Sequence, residues 1–184
     1  MRRTIPGILL AGLIAQGCVT SGPPANVGFK QASELEEFEG VYRNAGEVKE
    51  GYPKTYLSAL IWPDSNGVPH ETVSRVEVRG AEKNALNVRA WMDTVLIREQ
   101  TFARGKDFDV KEGRLLIRHH VGAHANNKSG DPFLGFEGHT VELGLDRRGE
   151  GKSRETTQFA GLVYLVMPIA MSEAREARFV RIAP

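Results

Sequence analysis

"SRVEVRGAEKNALNVRAWMDTVLIREQTF", Ser74 to Phe102, decides the fold. Its first run puts Val76 and Val78 on one side and Arg75, Glu77 and Arg79 on the other. "NALNVRAWM" repeats the pattern with Leu86, Val88 and Ala90, and "TVLIREQTF" follows closely. A period of two sends successive side chains to opposite faces, so these runs read as strands with one face on a core and one in water.

The same reading extends in both directions. "GRLLIRHHV" sets Leu115 and Ile117 against Leu116 and Arg118, and "HTVELGLDRRG" alternates through Val141, Leu143 and Leu145. "ETTQFAGLVYLVMP" and "AREARFVRIAP" close the chain. Turn residues separate the runs at Pro63 to Gly67, Gly105, Gly113, Asn126-Asn127, Gly130 to Pro132 and Arg147 to Gly151. Several short strands between turn signals point to a sandwich or barrel, and no strand–helix–strand alternation suggests a parallel sheet. Ser33 with Glu36 three residues on is a capping-box pattern, so one helical turn is expected in "SELEEFEG". "PKTYLSALIWP", Pro53 to Pro63, is too short for its period to decide, with a short helix the favoured reading. The expectation is an all-β domain over residues 33–184 with one or two short helical turns, a single antiparallel barrel or a curved sandwich. "FAGLVYLVMPIAM", Phe159 to Met171, reads as a central strand covered on both faces, or as the lining of an apolar cavity.

Composition supports a folded chain. Hydrophobic residues make up 41% and charged residues 26% of 184, too apolar for disorder. The formal charge is +1 and no basic block is long enough for a nucleic-acid footprint, so no nucleic-acid partner is expected.

The first residues carry a different signal. "MRR" precedes the uncharged run "IPGILLAGLIA", Ile5 to Ala15, which is shorter than the roughly 20 residues of a membrane span and has the length of a signal-peptide core. Residues 1–17 are expected to be a signal peptide. "AQGC", Ala15 to Cys18, resembles the lipobox of bacterial lipoproteins, which implies cleavage before Cys18, a diacylglycerol thioether on its sulfur and acylation of the new amine. Ala15-x-Gly17 also fits ordinary signal peptidase, which would use the same bond. Lipidation is favoured because Cys18 is the sole cysteine, and a free thiol in an oxidising compartment pairs only between molecules. Loss of Arg2 and Arg3 leaves 22 basic against 23 acidic residues, so anchoring would rest on acyl chains and not on charge. "VTSGPPANVGFKQA" after Cys18 reads as a flexible tether, making 18–32 the lipidated cysteine and its linker.

Chemical motifs are sparse. "GEGKSR", Gly149 to Arg154, has Asp146 where a phosphate loop needs its first glycine, and reads as a charged hairpin turn. His119, His120, His124 and His139 are weak candidates for a metal site, lacking the His-Glu-x-x-His pattern. No Gly-x-Ser-x-Gly elbow is present, and no cofactor is expected.

"EFEGVYRN" and "RFVRI" resemble the calycin group of small barrels, to which lipocalins belong. The resemblance implies that Gly40 and Tyr42 early, with Arg178 or Arg181 late, close the barrel base by packing an arginine across the aromatic ring. In layout the chain resembles small lipoproteins of Gram-negative bacteria. That implies an exported protein anchored in the membrane, facing the periplasm from the outer membrane. The expected role is non-enzymatic: binding a small apolar or amphipathic ligand or an envelope protein partner. The alternatives are a metal-binding protein or metal-dependent enzyme using the histidines, and a structural accessory whose exposed strand edge pairs with a partner.

Overall fold

The structure is a computed structural model that describes residues 16–63, 67–82, 84–117, 121–126, 133–163 and 167–184. The chain runs β1 (Gln16–Ser21), a 3-10 turn (Leu35–Phe38), β2 (Gly40–Arg43), α1 (Leu57–Ile61), β3 (Arg75–Glu82), β4 (Ala85–Met92) and β5 (Val95–Ala103). It continues through β6 (Phe108–Lys111), β7 (Arg114–Ile117), β8 (Val121–Asn126), β9 (Phe133–Leu145), β10 (Gly151–Val163), β11 (Met167–Phe179) and β12 (Arg181–Ala183). The molecule is mostly β, as the alternation predicts.

Two sheets form, and they do not close into a barrel. One has the order β12-β2-β3-β4-β5. The other runs β1-β11-β10-β9-β7-β6, with β8 also on β9. The sandwich, not the barrel, is the alternative realised. At Val180 the chain leaves β11 in the larger sheet and enters β12 in the smaller, so its last residues stitch the layers together.

The core lies between the sheets. From the smaller sheet come Tyr42, Val76, Leu86, Val88 and Ala90, and from the larger Phe108, Val141, Leu145, Ala177 and Phe179. These are the inward residues of the alternating runs, which is why the runs form strands at all. Asn44 is fully buried and fixes α1. Its Oδ1 accepts from Ser58 N at 2.8 Å, and its Nδ2 donates to His70 O at 2.7 Å and Val73 O at 3.0 Å.

Four local expectations change. The capping residues shift by one: Glu37, not Glu36, accepts from Ser33 N at 2.7 Å and Glu34 N at 3.3 Å. "GEGKSR" is split, because the turn ends at Glu150 and Lys152 is already a buried strand residue. The apolar run Phe159 to Met171 is not one central strand but the end of β10 and the start of β11. The chain reverses within the run, so it serves two antiparallel passes, with Phe159 opposite Met171. Its residues are also not covered on both faces: Met167 and Met171 are 57% and 60% exposed.

The fourth concerns residues 18–32. In place of a free tether, the chain makes β1, parallel to β11 with Gln16 opposite Ala170 and Ser21 opposite Arg175. Beyond it Asn26 N bonds Pro23 O at 3.0 Å and Lys30 N bonds Leu145 O at 2.8 Å. The Gly-Pro composition is that of a loop, but this loop has partners on the sheet beneath it.

Candidate functional site

β9, β10 and β11 each run 13 residues and pair without a register shift. Only the half nearest Leu145, Gly151 and Phe179 is covered by the smaller sheet; the other half overhangs. Along the unbroken alternation, odd-numbered residues of these strands face the core and even-numbered residues face outward.

On the covered half, the outward face holds a dense polar cluster. Lys152 and Glu176 are 4% and 2% exposed and pair at 2.8 Å. Glu176 also accepts from Arg154 at 2.6 Å and from Asn26 Nδ2 at 2.5 Å. Lys152 donates to Val27 O at 2.8 Å. Burial raises the Glu176 carboxyl, but hydrogen bonds from Lys152, Asn26 and Arg154 outweigh it and hold the group below the usual carboxylate range. Phe29 lies across this face, its ring 5.1 Å from Lys152 Nζ and within 5.4 Å of the Arg114 and Arg154 guanidiniums. Gly144 makes room for the ring, since a Cβ there would stand 2.8 Å from it. The cluster binds the N-terminal segment to the sheet. It is built from residues far apart in sequence, and only "GEGKSR" drew notice to any of them.

Tyr42 and Arg181 are brought together. β12 pairs with β2 so that the two residues are opposite, and the guanidinium lies 5.8 Å from the ring centroid. The Tyr42 hydroxyl donates to Phe38 O at 2.9 Å, and Arg181 also bonds Glu39 O. Burial pushes the Tyr42 phenol up to about 12, against the opposing pull of the Arg181 charge. Gly40 has φ +145°, and a Cβ on it would stand 2.6 Å from Arg181 Nε. Arg178 is not part of this contact; it pairs with Glu47 at 2.7 Å.

The histidines do not converge among the described residues. His119 and His120 lie outside them. His124 is in β8 opposite Gly135, and His139 is an exposed β9 residue 3.6 Å from Glu155. No group of three or more His, Cys, Asp or Glu able to hold a metal occurs among the described residues. Ser58 Oγ lies 2.9 Å from His70 Nδ1, the spacing of a nucleophile and its base. Ser58 is 0% exposed, however, so no substrate carbonyl reaches it, and the pair serves to seat α1.

An apolar space and a polar groove lie among the spaces beside these groups. The apolar one, between the sheets and lined by Phe38, Leu57, Val88, Phe102, Ile117 and Leu143, has a volume of about 90 Å³. The other is a polar groove of about 290 Å³ beside Tyr52, Tyr56, Lys54, Glu155 and Arg175.

Cys18 is a β1 residue opposite Ser172 of β11. β1 begins at Gln16 on the overhanging half of the sheet and runs toward the covered half. That half carries exposed Leu134, Phe136, Leu162, Met167 and Met171, with Phe136 exposed to 65%. No helix among the described residues is long and apolar enough to cross a membrane.

The chain matches no protein-family model, no curated protein and no solved structure.

Proposed function

We propose that this chain is an exported envelope protein, lipid-anchored at Cys18, that acts without catalysis by presenting a binding surface. One observation carries the reading. The apolar surface free to bind lies outside, on the half of the larger sheet where the Cys18 strand begins, while the interior offers about 90 Å³. A dry cavity of about 150 Å³ takes a molecule the size of benzene. The interior is smaller than that, and an acyl chain is much larger. This supports the surface-binding form of the expected role over a carrier that encloses its ligand.

The strand-edge reading has an observation of its own. β5 is nine residues long and terminates its sheet, and Met92, Val95 and Leu96 are exposed where it begins. An unpaired strand edge offers backbone groups to a partner strand.

Partition of wild type and Cys18→Ser between detergent and aqueous phases tests the anchor. Wild type is expected in the detergent phase and the variant in the aqueous phase; equal partition removes the anchor.

A further inference from the structure

Among the described residues, the outward face of the overhanging half is uncharged. Its ranks are Leu134, Leu162 and Pro168, then Phe136, Ala160 and Ala170, then Gly138, Gln158 and Ser172. Charge returns on this face only at Glu142, Arg154 and Glu176, the cluster under Phe29. The opposite face differs, with Glu137 in rank with Phe159 and Met171. From the first rank to the third is four residues along the strands, about 13 Å. Four strands, β8, β9, β10 and β11, span about 14 Å across. The uncharged face, apolar in its first two ranks, is therefore on the order of 180 Å².

Cys18 stands in the rank of Ser172, at the boundary between the apolar ranks and the polar ones. With residues 1–17 removed, Cys18 is the first residue of β1.

We propose that this outward face docks on the hydrocarbon edge of a neutral lipid bilayer, with Cys18 at its rim. The proposal rests on the anchor reading and names what the exposed surface meets. A face without charge suits acyl chains, and a chain with 22 basic and 23 acidic residues after cleavage has no need of anionic lipid. A second copy is the poorer occupant, because a stable dimer buries roughly 800 Å² on each partner, more than about four times this face. The face sinks to side-chain depth, as an interfacial amphipathic element does.

The test uses protein purified from membranes with its own N-terminus. Phe136→Cys, Met171→Cys and Val95→Cys each receive an environment-sensitive thiol dye and enter phosphatidylcholine vesicles whose acyl chains carry a quencher. The dye at 136 is expected to be quenched about threefold more than those at 171, on the opposite face, and 95, on the other sheet. Equal quenching at 136 and 95 overturns the proposal, and equal quenching at 136 and 171 overturns the choice of face. A dye at 136 already shielded before vesicles are added also overturns it: a second copy covers the face if dilution exposes the dye, the chain's own leader if it does not. The anchor fails separately, if wild type takes up dye at Cys18, its sole thiol. In a Cys18→Ser background the comparison among the three positions then still reads the face.

Discussion

Glu176→Gln removes the carboxylate that pairs with Lys152 in the buried cluster beneath Phe29. The wild-type carboxylate receives hydrogen bonds from Lys152, Arg154 and Asn26, and its side chain is 2% exposed. The variant keeps the shape and loses the charge, leaving Lys152, itself 4% exposed, without a counter-ion. Breaking a buried pair by removing one partner costs about 3–5 kcal/mol, because the remaining charge stays desolvated. A domain of this kind has about 5–15 kcal/mol in total, so the variant is expected to lose a large share of its stability. Lys152→Met is expected to cost less, about 1–3 kcal/mol, because Arg154 at 2.6 Å still balances Glu176. Urea unfolding followed by tryptophan fluorescence measures both. A loss under 1 kcal/mol for Glu176→Gln, or a larger loss for Lys152→Met, would refute the assignment of this carboxylate as the centre of the cluster.

Three further outcomes follow from neighbouring geometry. Phe29→Ala removes a ring held among three cations and is expected to cost about 2–3 kcal/mol, with faster amide exchange in residues 22–30 as its local signature. Gly40→Ala sets a Cβ 2.6 Å from Arg181 Nε at φ +145°, and a loss of about 2–4 kcal/mol of stability, read as a lowered unfolding midpoint, is expected; an unchanged midpoint would show that Arg181 moves aside freely. Glu37 is held at about 2, from an ordinary value of 4.5, first by the Lys30 hydrogen bond and then by the Ser33 and Glu34 amides. Its folded-state value is the lower one, so its contribution is complete above pH 4.5 and fades as pH falls toward 2; Glu37→Gln is expected to flatten that part of the acid unfolding curve.

How much of this was legible depends on the distance over which each feature is written. β3, β4, β7 and the covered end of β9 announce themselves because one face packs on the core and the other does not, which the residues record every second position. The pattern disappears in Phe159 to Met171, where neither face carries charge, so the sequence offers no sign of the reversal between β10 and β11. The clamp on residues 22–30 is harder still. Asn26 and Glu176 are 150 residues apart, and each alone looks like a surface polar residue. Arg178 and Arg181 illustrate an intermediate case. The sequence offers both as partners of Tyr42, and only the change of sheet at Val180 sends the first to Glu47 and the second to Tyr42.

The order of residues 18–32 alters what an anchor at Cys18 would do. A free linker of that length would hold the domain on the order of 20 Å from the membrane in many orientations. A lipidated residue that is itself the start of a strand allows neither distance nor freedom. The acyl chains would leave the sheet beside Ser172, and the plane of the bilayer would have to pass close to that rank. Of the surfaces meeting there, the outward face is uncharged for three ranks, while the core-facing side carries Glu137, His139 and Glu173 at the same height. Burying those charged groups against lipid would strip their water, whereas the outward face offers only apolar side chains, an amide and a hydroxyl. Anchor and face would therefore select the same orientation, and it would leave the exposed start of β5, on the other sheet, available to a protein partner.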